Sequence, residues 1–292
     1  MNPVLVTGAT GTVGAHVVHA LQRRATPVRA FVRDTGKAAR LLGPEVETVV
    51  GAFGDHAAVR AAVDGVERVF LACANHPQQG PWETAVVDAA AAAGVRHVVK
   101  LSAFGAYIGS PVAFLDANGR VEHHLRQSGV PWTLLRPTFL MSNLLRGAGG
   151  VRTEDAFLVP GAGAKIALVD PRDVAEVAAL VLTGAGHERR HYDVTGPEAV
   201  TFDDLAEHLS DLLGRPIAYV DLSDDEATTR FTAAGAPPWY VGNVVRLFDV
   251  LRRARARRAP QRCRGPPPAR PGAGRRRAGT RCPRTTAGRP RR

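Results

Sequence analysis

The chain has 292 residues, 45% of them hydrophobic and 22% charged, with a net charge of +11. That length holds one large domain or two modest ones, and no apolar run is long enough to cross a bilayer. The charge is lopsided: residues 252–292 hold 16 of the 38 Lys and Arg and no Asp or Glu, which leaves 22 basic against all 27 acidic residues in the first 251.

The body is therefore mildly acidic and carries no basic field suited to a phosphate backbone, which argues against nucleic acid as its partner. Cys73 stands alone in it, with Cys263 and Cys282 in the tail, so neither a disulfide framework nor a metal-ligand spacing is present. Met1 is followed by neither a basic start nor an apolar stretch, and a soluble, cytoplasmic protein is expected.

Taken in chain order, β-branched runs predict strands at 4–7, 28–32, 47–50, 68–72, 97–101 and 132–136. Ala-rich stretches between them predict helices at 15–24, 37–42, 57–63, 82–93 and 116–128. This alternation is that of a parallel sheet covered on both faces, a Rossmann-type doubly wound α/β fold. After Pro137 the rhythm loosens. A helix over 170–183 opens with Asp170 as N-cap and Pro171 in its first turn. A short strand at 192–195, an amphipathic helix at 202–213 ended by Gly214, and a strand at 217–220 follow. The expected organisation is a dinucleotide-binding domain over 1–138, with the 170–183 helix packed on it. Residues 139–169 and 186–251 would form a small α/β substrate lobe. Residues 252–292 are built from Arg, Pro, Gly, Ala and Thr, cannot bury enough apolar surface to offset ordering, and are expected to be a disordered tail. Two origins stay open for it, a basic arm or the product of a GC-rich gene read out of frame.

The strand at 4–7 runs into Gly8-Ala9-Thr10-Gly11-Thr12-Val13-Gly14 and then a helix. Glycines at 8, 11 and 14 give G-x-x-G-x-x-G: the first makes the tight turn, the second lets backbone approach a pyrophosphate, and the third lets the helix pack close on the strand. The helix N-terminus then offers N–H groups and a positive dipole end to phosphates. Thr10, Thr12 and Val13 complete the loop, and Ala72 ends the neighbouring fourth strand. At the end of the second strand Arg33 comes first and Lys37 a turn later, which favours the 2′-phosphate of NADP(H) over NAD(H). Asp34 is the opposing sign, and a merely solvated Arg33 is the plain alternative.

These features resemble the NmrA-like, atypical short-chain dehydrogenase/reductase family, which includes NAD(P)H:quinone reductase-like members. The resemblance covers residues 3–251. It rests on Val6–Gly14, Val32-Arg33-Asp34, residues 89–102, the stretch Gly129-Val130-Pro131-Trp132-Thr133-Leu134-Leu135-Arg136-Pro137, and Asp170-Pro171-Arg172-Asp173-Val174-Ala175. Related enzymes carry a Tyr-x-x-x-Lys on the helix after the fifth strand; here Phe114 and Asn118 stand at those two positions. Phe cannot donate a proton and neutral Asn cannot tune a phenol, so carbonyl reduction by that pair is not expected. Ser102 matches the family's Ser, with an ordinary strand-end hydroxyl as the alternative. Tyr107, in the loop after the fifth strand, is the other catalytic candidate, with a surface role as the alternative. Phe53 follows the third strand where the family often has Gly-Asp, and either meets an adenine or simply packs. Pro137 would border a nicotinamide, and Phe139, Met141, Asn143 and Trp239 would line a pocket for a flat aromatic substrate.

The resemblance implies an NADPH-dependent reductase of a quinone-like or polycyclic aromatic substrate, with a tailoring role in aromatic polyketide biosynthesis as one setting for it. The alternative is a non-catalytic NADP(H) sensor acting through protein partners.

Overall fold

The computed structural model describes residues 2–258. The β-branched runs form β1 (Val4–Val6), β2 (Val28–Val32), β3 (Glu47–Val50), β4 (Arg68–Leu71), β5 (His97–Leu101) and β6 (Trp132–Pro137). Between them lie α1 (Gly14–Gln22), α2 (Thr35–Leu42), α3 (His56–Val63), α4 (Gln79–Ala92) and α5 (Ala113–Gln127). Both α4 and α5 begin three residues ahead of the sequence expectation. For α5 the reason is a cap from far along the chain: the Asn243 side-chain oxygen accepts from the Ala113 amide at 2.6 Å.

With β10 (Arg190–Val194) added, a seven-stranded parallel sheet runs β10-β6-β5-β4-β1-β2-β3 and is the expected doubly wound Rossmann-type sheet. Its faces follow from alternation along the strands. Val4 and Val6 enter the core under α1, α2 and α7 (Pro171–Thr183), whereas Leu5 enters the core under α3, α4 and α5. Burying each such side chain contributes about 2 kcal/mol. Helix α7 opens as its sequence predicts, with the Asp170 carboxylate accepting from the Arg172 amide at 2.8 Å.

One boundary moves. Strand β10 (Arg190–Val194) pairs in parallel with β6 and forms an edge of the main sheet, so these residues belong to the nucleotide layer and not to the lobe. As an edge strand it is largely exposed and lacks the apolar run of a central strand, which is why its sequence does not announce its partner.

The lobe is built from short pieces. Strands β7 (Phe139–Leu140), β9 (Ile166–Val169) and β11 (Ala199–Val200) form one small sheet, and β8 (Ala156–Val159) pairs with β12 (Ala218–Asp221) in another. A 3₁₀ turn (Met141–Gly147), α6 (Ala148–Thr153), α8 (Phe202–Leu213), α9 (Asp224–Ala233) and α10 (Pro238–Arg258) complete it. Its core centres on Phe202, whose ring lies 5.9 Å from Phe157, 5.7 Å from Tyr219 and 5.8 Å from Phe248.

Helix α10 overturns the expectation that order ends at Leu251, since it continues to Arg258. Ala and Arg are good helix formers, and Arg252 finds Asp224 at 2.9 Å while Arg253 finds Asp249 one turn back at 3.0 Å. The rest of the expected tail, residues 259–292, lies outside the described residues.

Candidate active site

In a doubly wound sheet the crevice opens at the strand C-termini where the winding reverses. Here that point lies between β1 and β4, since the chain runs outward from β1 through β2 and β3 before crossing back to β4. Thr7, which the sequence does not single out, ties the two strand ends together. Its hydroxyl donates to the Ala72 carbonyl at 3.0 Å and accepts from the Ala72 amide at 2.8 Å.

Beyond Thr7 the chain turns at Gly8, with φ of +60°, and a Cβ there would stand 2.7 Å from the Ala72 carbonyl oxygen. A Cβ on Gly14 would lie 2.2 Å from the Gly8 carbonyl oxygen, and one on Gly11 would lie 3.0 Å from the same atom. The loop is thus a cradle of bare backbone. Thr10 is half-buried, Gly11 and Thr12 are exposed, and Val13 is buried beneath α1. The first turn of α1 has no side-chain cap and no acidic residue, which leaves its dipole end to an anion. These residues fit the pyrophosphate of a dinucleotide.

At the end of β2, Arg33 and Lys37 are both exposed, and neither makes an ion pair among the described residues. Asp34 is spent locally: its carboxylate accepts from the Lys37 amide at 2.8 Å and caps α2. Phe53 is half-buried, edge-on to Phe31 at 5.8 Å and stacked with Trp82 at 6.3 Å; Trp82 in turn stacks on His76 at 4.3 Å.

Ser102 follows β5 and its hydroxyl donates to the Glu122 carboxylate at 2.6 Å. Glu122 is 1% exposed and also receives the Arg136 guanidinium through bonds of 2.9 and 2.5 Å. Tyr107 is 54% exposed on a loop that lies across Gly119 of α5, where an added Cβ would sit 2.5 Å from the Tyr107 carbonyl carbon. Phe114 is buried with Val112 and Leu115, and Trp239 and Leu247 of α10 pack on that cluster. Phe139 packs instead on the lobe core, Met141 is exposed and Asn143 is half-buried. The structure thus joins Trp239 to Phe114, and places Phe139 in a separate cluster. Pro137 closes β6 and its carbonyl accepts from the Phe104 amide at 2.9 Å, linking it to the loop after Ser102.

Asn118 turns inward. Its carbonyl oxygen accepts from the Lys100 ammonium at 2.8 Å, and Lys100 pairs with Glu83 at 3.0 Å, both side chains being wholly buried. Burial raises the Glu83 carboxyl above its usual range, opposed by the Lys100 charge. Beside it, burial and then the Glu83 charge push the Cys73 thiol up to about 12, so it is a poor nucleophile. The sequence signal for this cluster is a lone Lys inside a strand covered on both faces, a place where Lys is almost never found unpaired.

This cradle belongs to a nucleotide-dependent oxidoreductase fold. The chain is a member of the NAD(P)H-binding family, which it matches over residues 8–184, and of its NmrA-like, atypical short-chain branch. It is 45% identical over 236 residues, 80% of this chain and 82% of the relative, to a (4-alkanoyl-5-oxo-2,5-dihydrofuran-3-yl)methyl phosphate reductase of Streptomyces griseus. It is 38% identical over 234 residues, 80% of this chain and 82% of the other, to an NAD(P)H azoreductase of Xenophilus azovorans. The crystal structure of an NADPH-dependent quinone oxidoreductase from Escherichia coli, complexed with NADPH, superposes with a TM-score of 0.78 at 30% identity, covering 86% of this chain and 89% of that one. The chain is an NAD(P)H-dependent oxidoreductase. No helix among the described residues is long and apolar enough to cross a membrane.

Proposed function

We propose that the protein reduces a flat, conjugated, electron-poor acceptor of the quinone class with NADPH, in the cytoplasm. The observation that carries this reading is the commitment of the Ser102 hydroxyl to Glu122, together with a Phe114 that has no proton to give. With Ser102 committed and Phe114 where related enzymes carry Tyr, an acceptor whose reduced form is stabilised by its own delocalisation suits this site. Bound in the cradle, the cofactor would supply a hydride. The chain's task is to hold donor and acceptor in line and keep water from the gap, while the acceptor oxygen draws its proton from solvent.

The names of the relatives support this chemistry. A butenolide phosphate, an azo compound and a quinone differ in outline, yet each offers a conjugated, electron-poor centre. The same chemistry would serve in tailoring an aromatic polyketide. Phe139, Met141, Asn143 and Trp239 would define the substrate side, Tyr107 the mouth, and Pro137 the nicotinamide wall. Arg33 and Lys37, unpaired at the end of β2, support NADP(H) over NAD(H). Since the relatives are named as reductases, the sensor alternative is not retained.

The test follows NADPH absorbance with purified protein and a panel of quinones, azo dyes and conjugated lactones. Quinone-dependent NADPH loss above the uncatalysed rate is expected. A flat trace over every quinone, from a protein that binds NADPH, would sink the substrate class.

A further inference from the structure

We infer that Lys100 of β5 and Glu83 of α4 form a buried pair that positions the crevice wall after β4 for the dinucleotide. Four side chains from three elements meet here: Gln79 and Glu83 of α4, Lys100 of β5 and Asn118 of α5, none more than 5% exposed. The Lys100 ammonium has three protons and three acceptors, namely Glu83 at 3.0 Å, the Asn118 side-chain oxygen at 2.8 Å and the Leu101 carbonyl. It has none left for a ligand, so its action on one is indirect. Asn118 is held at both ends: its amide donates to the Phe114 carbonyl at 2.8 Å and its oxygen also accepts from the Gln79 amide at 3.4 Å.

What the pair holds is the start of the β4–α4 connection. The Glu83 carboxylate takes the Gln79 amide at 3.2 Å, and the Cys73 backbone N–H faces it. Cys73 directly follows Ala72, whose carbonyl already stands where any Cβ on Gly8 would collide. Wall and glycine cradle therefore touch, and Thr7 and Glu83 fix neighbouring residues of that wall. Buried ion pairs rarely improve on apolar packing for stability, which suits a pair kept for position.

This rests on the cradle binding a dinucleotide, so the readout is NADPH binding, which needs no acceptor. The double variant Glu83→Gln/Lys100→Met removes both charges without leaving one buried alone. It is expected to fold, with a melting temperature near that of the parent, and to bind NADPH at least tenfold more weakly by NADPH fluorescence. The quinone KM should stay within twofold, and Cys73 should react faster with iodoacetamide as the wall loosens. A folded double variant that binds NADPH like the parent overturns the inference and leaves the proposed function intact. A parent that binds no NADPH takes both down. If the double variant does not fold, Glu83→Asp, which shortens the reach to both Lys100 and the Cys73 amide, should weaken NADPH binding at least threefold; unchanged binding overturns the inference.

Discussion

The Ser102 hydroxyl and the Glu122 carboxylate stand 2.6 Å apart, and the serine gives its one proton to that bond. Ser102→Ala should therefore leave kcat on a quinone within about threefold of the parent, and should cost about 1 kcal/mol in urea unfolding. A loss of activity of a hundredfold with the fold intact would return Ser102 to the chemistry. Glu122→Ala strips a buried partner from Arg136 and should cost about 3 kcal/mol.

Arg33 and Lys37 can be separated from the cradle by cofactor choice. Arg33→Ser should raise KM for NADPH tenfold or more and leave KM for NADH within twofold, because only the former carries a 2′-phosphate. Equal losses for both cofactors would place Arg33 elsewhere in binding.

The glycines differ in how much they tolerate. Gly14→Ala drives a methyl to 2.2 Å from the Gly8 carbonyl oxygen and should abolish NADPH binding. Gly11→Ala meets the same atom at 3.0 Å, and a weakened but measurable affinity is expected. Titration by NADPH fluorescence ranks them.

At the opposite end of β5, His97 is buried and lowered to about 4, first by burial and then by Arg68. The Thr133 hydroxyl donates to the His187 carbonyl at 2.6 Å, so His97 Nε2 must be the donor in its 2.8 Å bond to Thr133. His97 Nδ1 is then bare, and a proton added there would be buried without an acceptor. A lowered histidine contributes stability that is full above its ordinary pKa near 6.5 and is lost as pH falls toward 4. The melting temperature should drop by several degrees over that window, and His97→Gln should flatten the drop.

Much of this architecture is readable because local and global signals agree. Strands β1 to β6 are β-branched runs between Ala-rich helices, and Gly8, Gly11 and Gly14 sit between a strand and a helix as the phosphate cradle requires. What escapes is whatever depends on distant pairing. Glu122 carries no sign in its own stretch that it will meet Ser102 and Arg136. Lys100 in His-Val-Val-Lys-Leu reads as an oddity until Glu83 and Asn118 surround it. Arg252 reads as the first residue of a formless tail, because its partner Asp224 lies 28 positions away.

Asn243 is a further case, and its bond to the Ala113 amide spans 130 positions. Asn243→Ala should cost about 1 kcal/mol, as loss of a helix cap does.

Helix α10 also places Phe248 in the lobe core while Trp239 and Leu247 rest on the start of α5. One helix therefore packs on both halves, and the lobe and the nucleotide layer share it as a common brace. The strip from Ala103 to Pro111 carries Phe104, Tyr107 and Ile108 out into solvent, with Gly105 and Gly109 both in the left-handed region.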